Sequence, residues 1–138
     1  MRGRKPQLSV VEGGIGDNLR APPAPSWLPA EAKAEWRRVM PGLRDRRVLS
    51  RQDLATLENY CLTIGMIRAS QRMIADEGAM VDTRGGEKKR HPAHQTLFQG
   101  LTESRRLAAE LGLTPASRSK AVAMPADGDA DDLADLDL

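Results

Sequence analysis

The chain has 138 residues, enough for one domain, but only one Phe, one Tyr and two Trp, so a core must come from Leu, Ile, Val, Met and Ala. All 21 Lys and Arg and 13 of the 19 acids precede residue 125, a net +8, whereas Asp127, Asp129, Asp131, Asp132, Asp135 and Asp137 give the rest −6. No apolar run is long enough for a membrane span, no signal-peptide stretch follows the basic start, and a single Cys suits a reducing cytosol without a disulfide framework.

Residues 1–25 contain Gly13, Gly14, Gly16, Pro22, Pro23 and Pro25 without a period and read as a flexible arm. The arm opens Arg2-Gly3-Arg4-Lys5-Pro6, which resembles the Arg-Gly-Arg-Pro core of AT-hooks with Lys5 intervening. Arg side chains suit a narrow, negative minor groove, and Gly permits close backbone approach. The other reading is a basic tail that meets phosphates without sequence preference.

Residues 26–121 read as a helical core and oligomerisation domain. Pro29 suits a first helical position, and Ala32, Trp36, Val39, Met40 and Leu43 recur at helical spacing. Pro41 is expected to end or kink this helix, with Arg44, Arg46 and Arg47 in a basic connection after it. Ser50 and Asp53 form a short capping signal for a long central helix of about seven turns. Its apolar stripe is Leu54, Leu57, Cys61, Ile64, Ile67 and Ile74, with Ser70 mostly off it, and Gly78 stops it.

A β-hairpin is expected across 79–91, with Gly85-Gly86 at its turn. Pro92 then opens a helix with Leu97, Leu101, Leu107, Ala108 and Leu111 inside, and Gly112 closes it. Thr114-Pro115 can start one more short turn. Residues 122–138 form an acidic tail expected to be disordered, either competing for the basic surface or simply solubilising the chain.

Arg84, Lys88, Lys89 and Arg90 concentrate charge on the hairpin. In one monomer they make a solvated loop; repeated around a ring they make a phosphate-binding surface, as do Arg44, Arg46, Arg47 and Arg51. His91 and His94 lack further His or Cys at metal-finger spacing, so His91-Pro92 is read as shaping the helix start and no metal is expected. Cys61 belongs to an apolar stripe and reads as core rather than as a nucleophile. There is no phosphate-binding glycine loop and no triad signature, so neither enzyme activity nor a cofactor is expected.

The Arg2-Gly3-Arg4-Lys5-Pro6 start, Trp36 with Pro41 and Leu43, Leu49-Ser50 with Asp53, Tyr60-Cys61, Gly78, His91-Pro92-Ala93 and Leu111-Gly112-Leu113-Thr114-Pro115 with Ser117-Arg118 follow one another in order. This order resembles the phage terminase small subunit family of the type with a Gly-Arg-Lys-Pro arm, over roughly residues 1–120. The elements read above make a mainly α protein, a helical core with a long central helix and one small hairpin between disordered tails; the resemblance, which does not account for the Asp-rich end, implies assembly into a ring. It implies a non-catalytic subunit that binds double-stranded viral DNA and delivers it to the large terminase, the ATPase and nuclease of genome packaging. It further implies a location in the host cytoplasm rather than in the mature virion. The implied ring has roughly eight or more subunits, about nine being expected. DNA contacts then fall to Arg2, Arg4, Lys5, Arg44, Arg46, Arg47, Arg84, Lys88, Lys89 and Arg90, and the core and subunit contacts to Trp36, Leu54, Leu57, Cys61 and Ile64.

Assembly is also expected from the scarcity of covering elements, with Trp27, Leu28, Tyr60 and Phe98 completing their burial at a subunit boundary. An acidic residue at Leu57 or Ile64 is then expected to abolish assembly or folding. The alternative function is a small dimeric DNA-binding regulator with an AT-hook-like arm.

Overall fold

The computed structural model describes residues 21–46 and 49–123, the last three by backbone alone. Four helices and one hairpin follow in order: α1 (Ala30–Asp45), α2 (Leu54–Glu77), β1 (Met80–Asp82), β2 (Lys88–Arg90), α3 (Ala93–Glu110) and α4 (Pro115–Ala123). The mainly helical architecture with a long central helix and a small antiparallel hairpin is as the sequence predicts.

α2 is the middle element, and both α1 and α3 pack on it. α1 runs antiparallel to it: Glu31 pairs with Arg72, Ala32 lies against Gly65, and the Tyr60 hydroxyl meets Glu35. The stripe predicted on α1 is buried, with Ala32, Trp36, Val39, Met40 and Leu43 at 5 % exposure or less. Full burial of one such large apolar side chain stabilises by about 1.5–3 kcal/mol.

Pro41 does not end α1, which continues to Asp45. The exposed ring lies on the solvent side between buried Met40 and Leu43, whose packing offsets the missing backbone hydrogen bond. Arg44 is therefore in the last helical turn, not in a connection. Pro29 is the cap before the helix rather than its first residue.

α2 opens through a 3₁₀ turn, Arg51–Asp53. The Asp53 carboxylate accepts the Ser50 N–H at 2.9 Å and the Ser50 hydroxyl at 2.7 Å, and these bonds hold it below the usual carboxylate range. Along α2, Leu57, Cys61 and Ile67 are buried, whereas Leu54, Ile64 and Ile74 are half-buried. Ser70, expected off the stripe, is 4 % exposed. Leu28 and Tyr60 also differ from expectation: both are buried within the single chain rather than waiting for a neighbour.

α3 returns antiparallel to α2 through the hairpin and meets it with small residues. Ala93, Gly100 and Ser104 are its buried positions, and Leu101, expected inside, is 46 % exposed. A close helix approach at Gly100 leaves no room for a large side chain on that line, so Leu101 turns outward. The helix ends in a Schellman arrangement: Gly112 (φ 68°) donates to Ala109 and Leu113 donates to Ala108. Thr114 caps α4, accepting the Ser117 N–H on its hydroxyl at 3.2 Å. Among the described residues no helix is long and apolar enough to cross a membrane.

Candidate nucleic-acid interface

The hairpin projects from one end of the helical body, and its base is clamped. The Gly78 N–H continues the helical ladder to Ile74, and the residue then takes φ 92°, turning the chain into β1. On the return side, His91 is 4 % exposed and donates its backbone N–H to Ala79 at 2.9 Å. Its Nδ1 accepts the Ala93 N–H at 3.0 Å, so the ring proton resides on Nε2, which faces the Glu77 carboxylate at 2.8 Å. One imidazole thereby caps α3 and ties it to the last turn of α2.

The strands pair Met80 with Arg90, Val81 with Lys89 and Asp82 with Lys88. Directly paired residues share a face, so Lys88 and Arg90 lie on one side of the ribbon and Lys89 on the other. Lys88 is engaged by Asp82 at 3.1 Å. Arg84, Lys88, Lys89 and Arg90 are all exposed, and Asp82 and Glu87 leave this ribbon a net charge of +2.

A second basic group gathers at the opposite end of the body. Arg44 is exposed in the last turn of α1, where a cation suits the helix dipole. Arg46 bridges two elements, donating to the Gly42 carbonyl at 3.1 Å and to the Gly112 carbonyl at 2.5 Å. Arg118 donates to the Leu113 carbonyl at 2.9 Å, and exposed Arg51 opens the turn before α2. The 24 residues of α2 separate this group from the hairpin by about 36 Å. The predicted cations therefore form two stations, not one patch; Arg2, Arg4, Lys5 and Arg47 lie outside the described residues.

A family model described as phage terminase, small subunit, matches residues 32–128. The chain belongs to that family. No curated protein and no solved structure matches it. The match takes in all of α2, α3 and α4, the hairpin and nearly all of α1, so both basic stations belong to the part this small terminase subunit shares with its family.

Two features of the terminase subunit escaped the sequence reading. The first is a buried carboxylate: Glu35, 6 % exposed, accepts the Tyr60 hydroxyl at 2.8 Å and two Arg38 hydrogen bonds at 2.5 and 2.8 Å. Its place on the edge of the Ala32–Trp36–Val39 stripe was the available signal. The second is the pair Lys33 and Arg37 on the outer face of α1, which spacings of four and seven place in one row with the predicted Arg44. Trp36 donates its indole N–H to the Pro22 carbonyl at 3.0 Å, pinning the preceding segment beside that row. Cys61 is fully buried, which pushes its thiol up to about 12. Among the described residues no group of three His, Cys, Asp or Glu side chains is placed to hold a metal.

Proposed function

We propose that this chain is the ring-forming, non-catalytic small terminase subunit of a tailed phage, binding viral DNA and delivering it to the large ATPase-nuclease subunit. The family match across the helical body carries the reading and supports a role in phage genome packaging. The two basic stations suit phosphate contacts, which set affinity and position rather than sequence preference. Arg44 and Arg46, with Arg47, serve one station and Arg84, Lys88, Lys89 and Arg90 the other, joined by Arg2, Arg4 and Lys5 of the arm.

Self-association is supported by large apolar side chains exposed on the single chain: Trp27 and Phe98 at 57 %, with Met66, Met73, Met80 and Leu101 near half. A contact between two different surfaces closes into a ring when its rotation permits. The subunit acts in the host cytoplasm and is absent from the finished virion. The test is native mass of the purified protein, alone and with a short duplex. The expected result is one uniform assembly of about nine subunits, and at least roughly eight, that gains the mass of DNA. A monomer or dimer that binds duplex would overturn the ring, and a ring indifferent to duplex at low salt would overturn the DNA role.

A further inference from the structure

A cavity of about 530 Å³ lies between the 21–26 segment and the outer face of α1. Its apolar surfaces come from Pro22, Pro23, Trp36, Met40 and Pro41, and its cations are Lys33, Arg37 and Arg44. Asp45 is the one acid on its wall, and among the described residues none of the three cations is in an ion pair. The cavity thus offers positive charge and apolar surface together, and its ligand needs carboxylates interleaved with apolar groups.

We infer that the cavity is the docking site of the chain's own acidic C-terminus. Residues 131–138 read Asp-Asp-Leu-Ala-Asp-Leu-Asp-Leu, which alternates the two chemistries the cavity presents. Carboxylates of Asp132, Asp135 and Asp137 meet Lys33, Arg37 and Arg44, and Leu133 and Leu136 cover the exposed rings of Pro23 and Pro41. A DNA phosphate would satisfy the cations and leave the exposed Pro23 and Pro41 in water, so the peptide is the better complement.

The tail starts on the right side of the molecule. Arg46, next to the cavity wall at Asp45, bonds the Gly112 carbonyl just before α4. The 15 residues after Ala123 span up to about 50 Å, against about 14 Å for α4 itself. The docking segment, residues 131–138, lies outside the matched residues 32–128. The docked tail covers Arg44, one cation of the proposed DNA surface, but the docking does not depend on that reading.

The test uses the full chain carrying Ser26→Cys and Ala134→Cys, which keeps every charge and leaves Cys61 buried. Copper-phenanthroline oxidation at low salt is followed on a non-reducing gel. The comparison is Ala109→Cys with Ala134→Cys, on an exposed α3 position closer along the chain to the tail. An intrachain crosslink at Ser26 forming at least about tenfold faster than at Ala109 is expected from the raised effective concentration. Neutralising Lys33, Arg37 and Arg44 to Gln, or adding high salt, should bring the two rates together. Equal rates in the unneutralised protein, or bands that join only different copies, would overturn the proposal.

Discussion

Tyr60 donates its hydroxyl to the buried Glu35 carboxylate at 2.8 Å, and this bond joins α2 to α1 inside the core. The hydrogen bonds of Arg38 are the main cause holding Glu35 below its ordinary value of 4.5, against the opposing pull of burial. A depressed carboxylate contributes stability that is complete above its unfolded value and is lost as pH falls through its folded one. The native chain should therefore lose stability in acid more steeply than Glu35→Gln, as read by urea midpoints between about pH 6 and about pH 3. Glu35→Ala leaves the Tyr60 hydroxyl without its partner and should cost about 2 kcal/mol at neutral pH.

The same pair can be read from the other side. Burial and the Glu35 carboxylate push Tyr60 up to about 12 from an ordinary 10.0. Tyr60 is the only tyrosine, so alkaline absorbance titrates it alone. The midpoint should fall toward the ordinary value in Glu35→Gln; an unmoved midpoint would show that the carboxylate has little influence on the phenol.

Gly100 is a point of close approach between α3 and α2. A Cβ there would lie 2.8 Å from Ile67 Cγ1, and β-branched Ile67 has little rotameric freedom in a helix. Gly100→Ala should cost about 1–2 kcal/mol despite its better helix propensity, and in an Ile67→Ala background, which lacks the clashing γ-carbon, the same change should cost less. Thermal melts of the two single variants and the double variant measure the coupling.

His91→Ala removes both a cap and a cross-element bond. The Ala93 N–H loses its buried acceptor, which costs about 1–3 kcal/mol. Amide exchange should rise in β2 and the first turn of α3 before it rises in α2. Uniform exchange across all three would show that the imidazole does not clamp the hairpin locally.

Phosphate contacts leave a signature in salt dependence. Lys89→Gln with Arg90→Gln should lower the log–log salt slope of duplex binding by about 2, because neither cation has a carboxylate partner among the described residues. Lys88→Gln should lower it less, since Asp82 already holds that ammonium. Equal slopes in all variants would move the DNA contact away from the hairpin.

Much of the fold was legible because apolar spacing and stop signals agree. Leu57 and Cys61 revealed the inner face of α2, and Gly78 and Gly112 marked true helix ends. The α3 contact was harder to read because it depends on smallness. Gly100 and Ser104 carry no hydrophobic signal, so a reading by leucines turned Leu101 inward. Leu57 is fully buried within one chain, so Leu57→Asp tests folding, whereas half-buried Ile64 is the better place to test assembly. The basic residues could be recognised by type, but their division between two ends required the antiparallel path of α2 and α3. Lys33 and Arg37 passed unnoticed because the reading followed the apolar side of α1.

The bond from Trp36 to Pro22 also fixes a point on the body from which the preceding residues depart. Twenty residues separate that point from Arg2, so the basic start of the chain can act no farther away than about 70 Å. That is roughly twenty base-pair steps of duplex. The indole that completes the α1 core thus sets the radius within which the proposed DNA contacts of Arg2, Arg4 and Lys5 must fall.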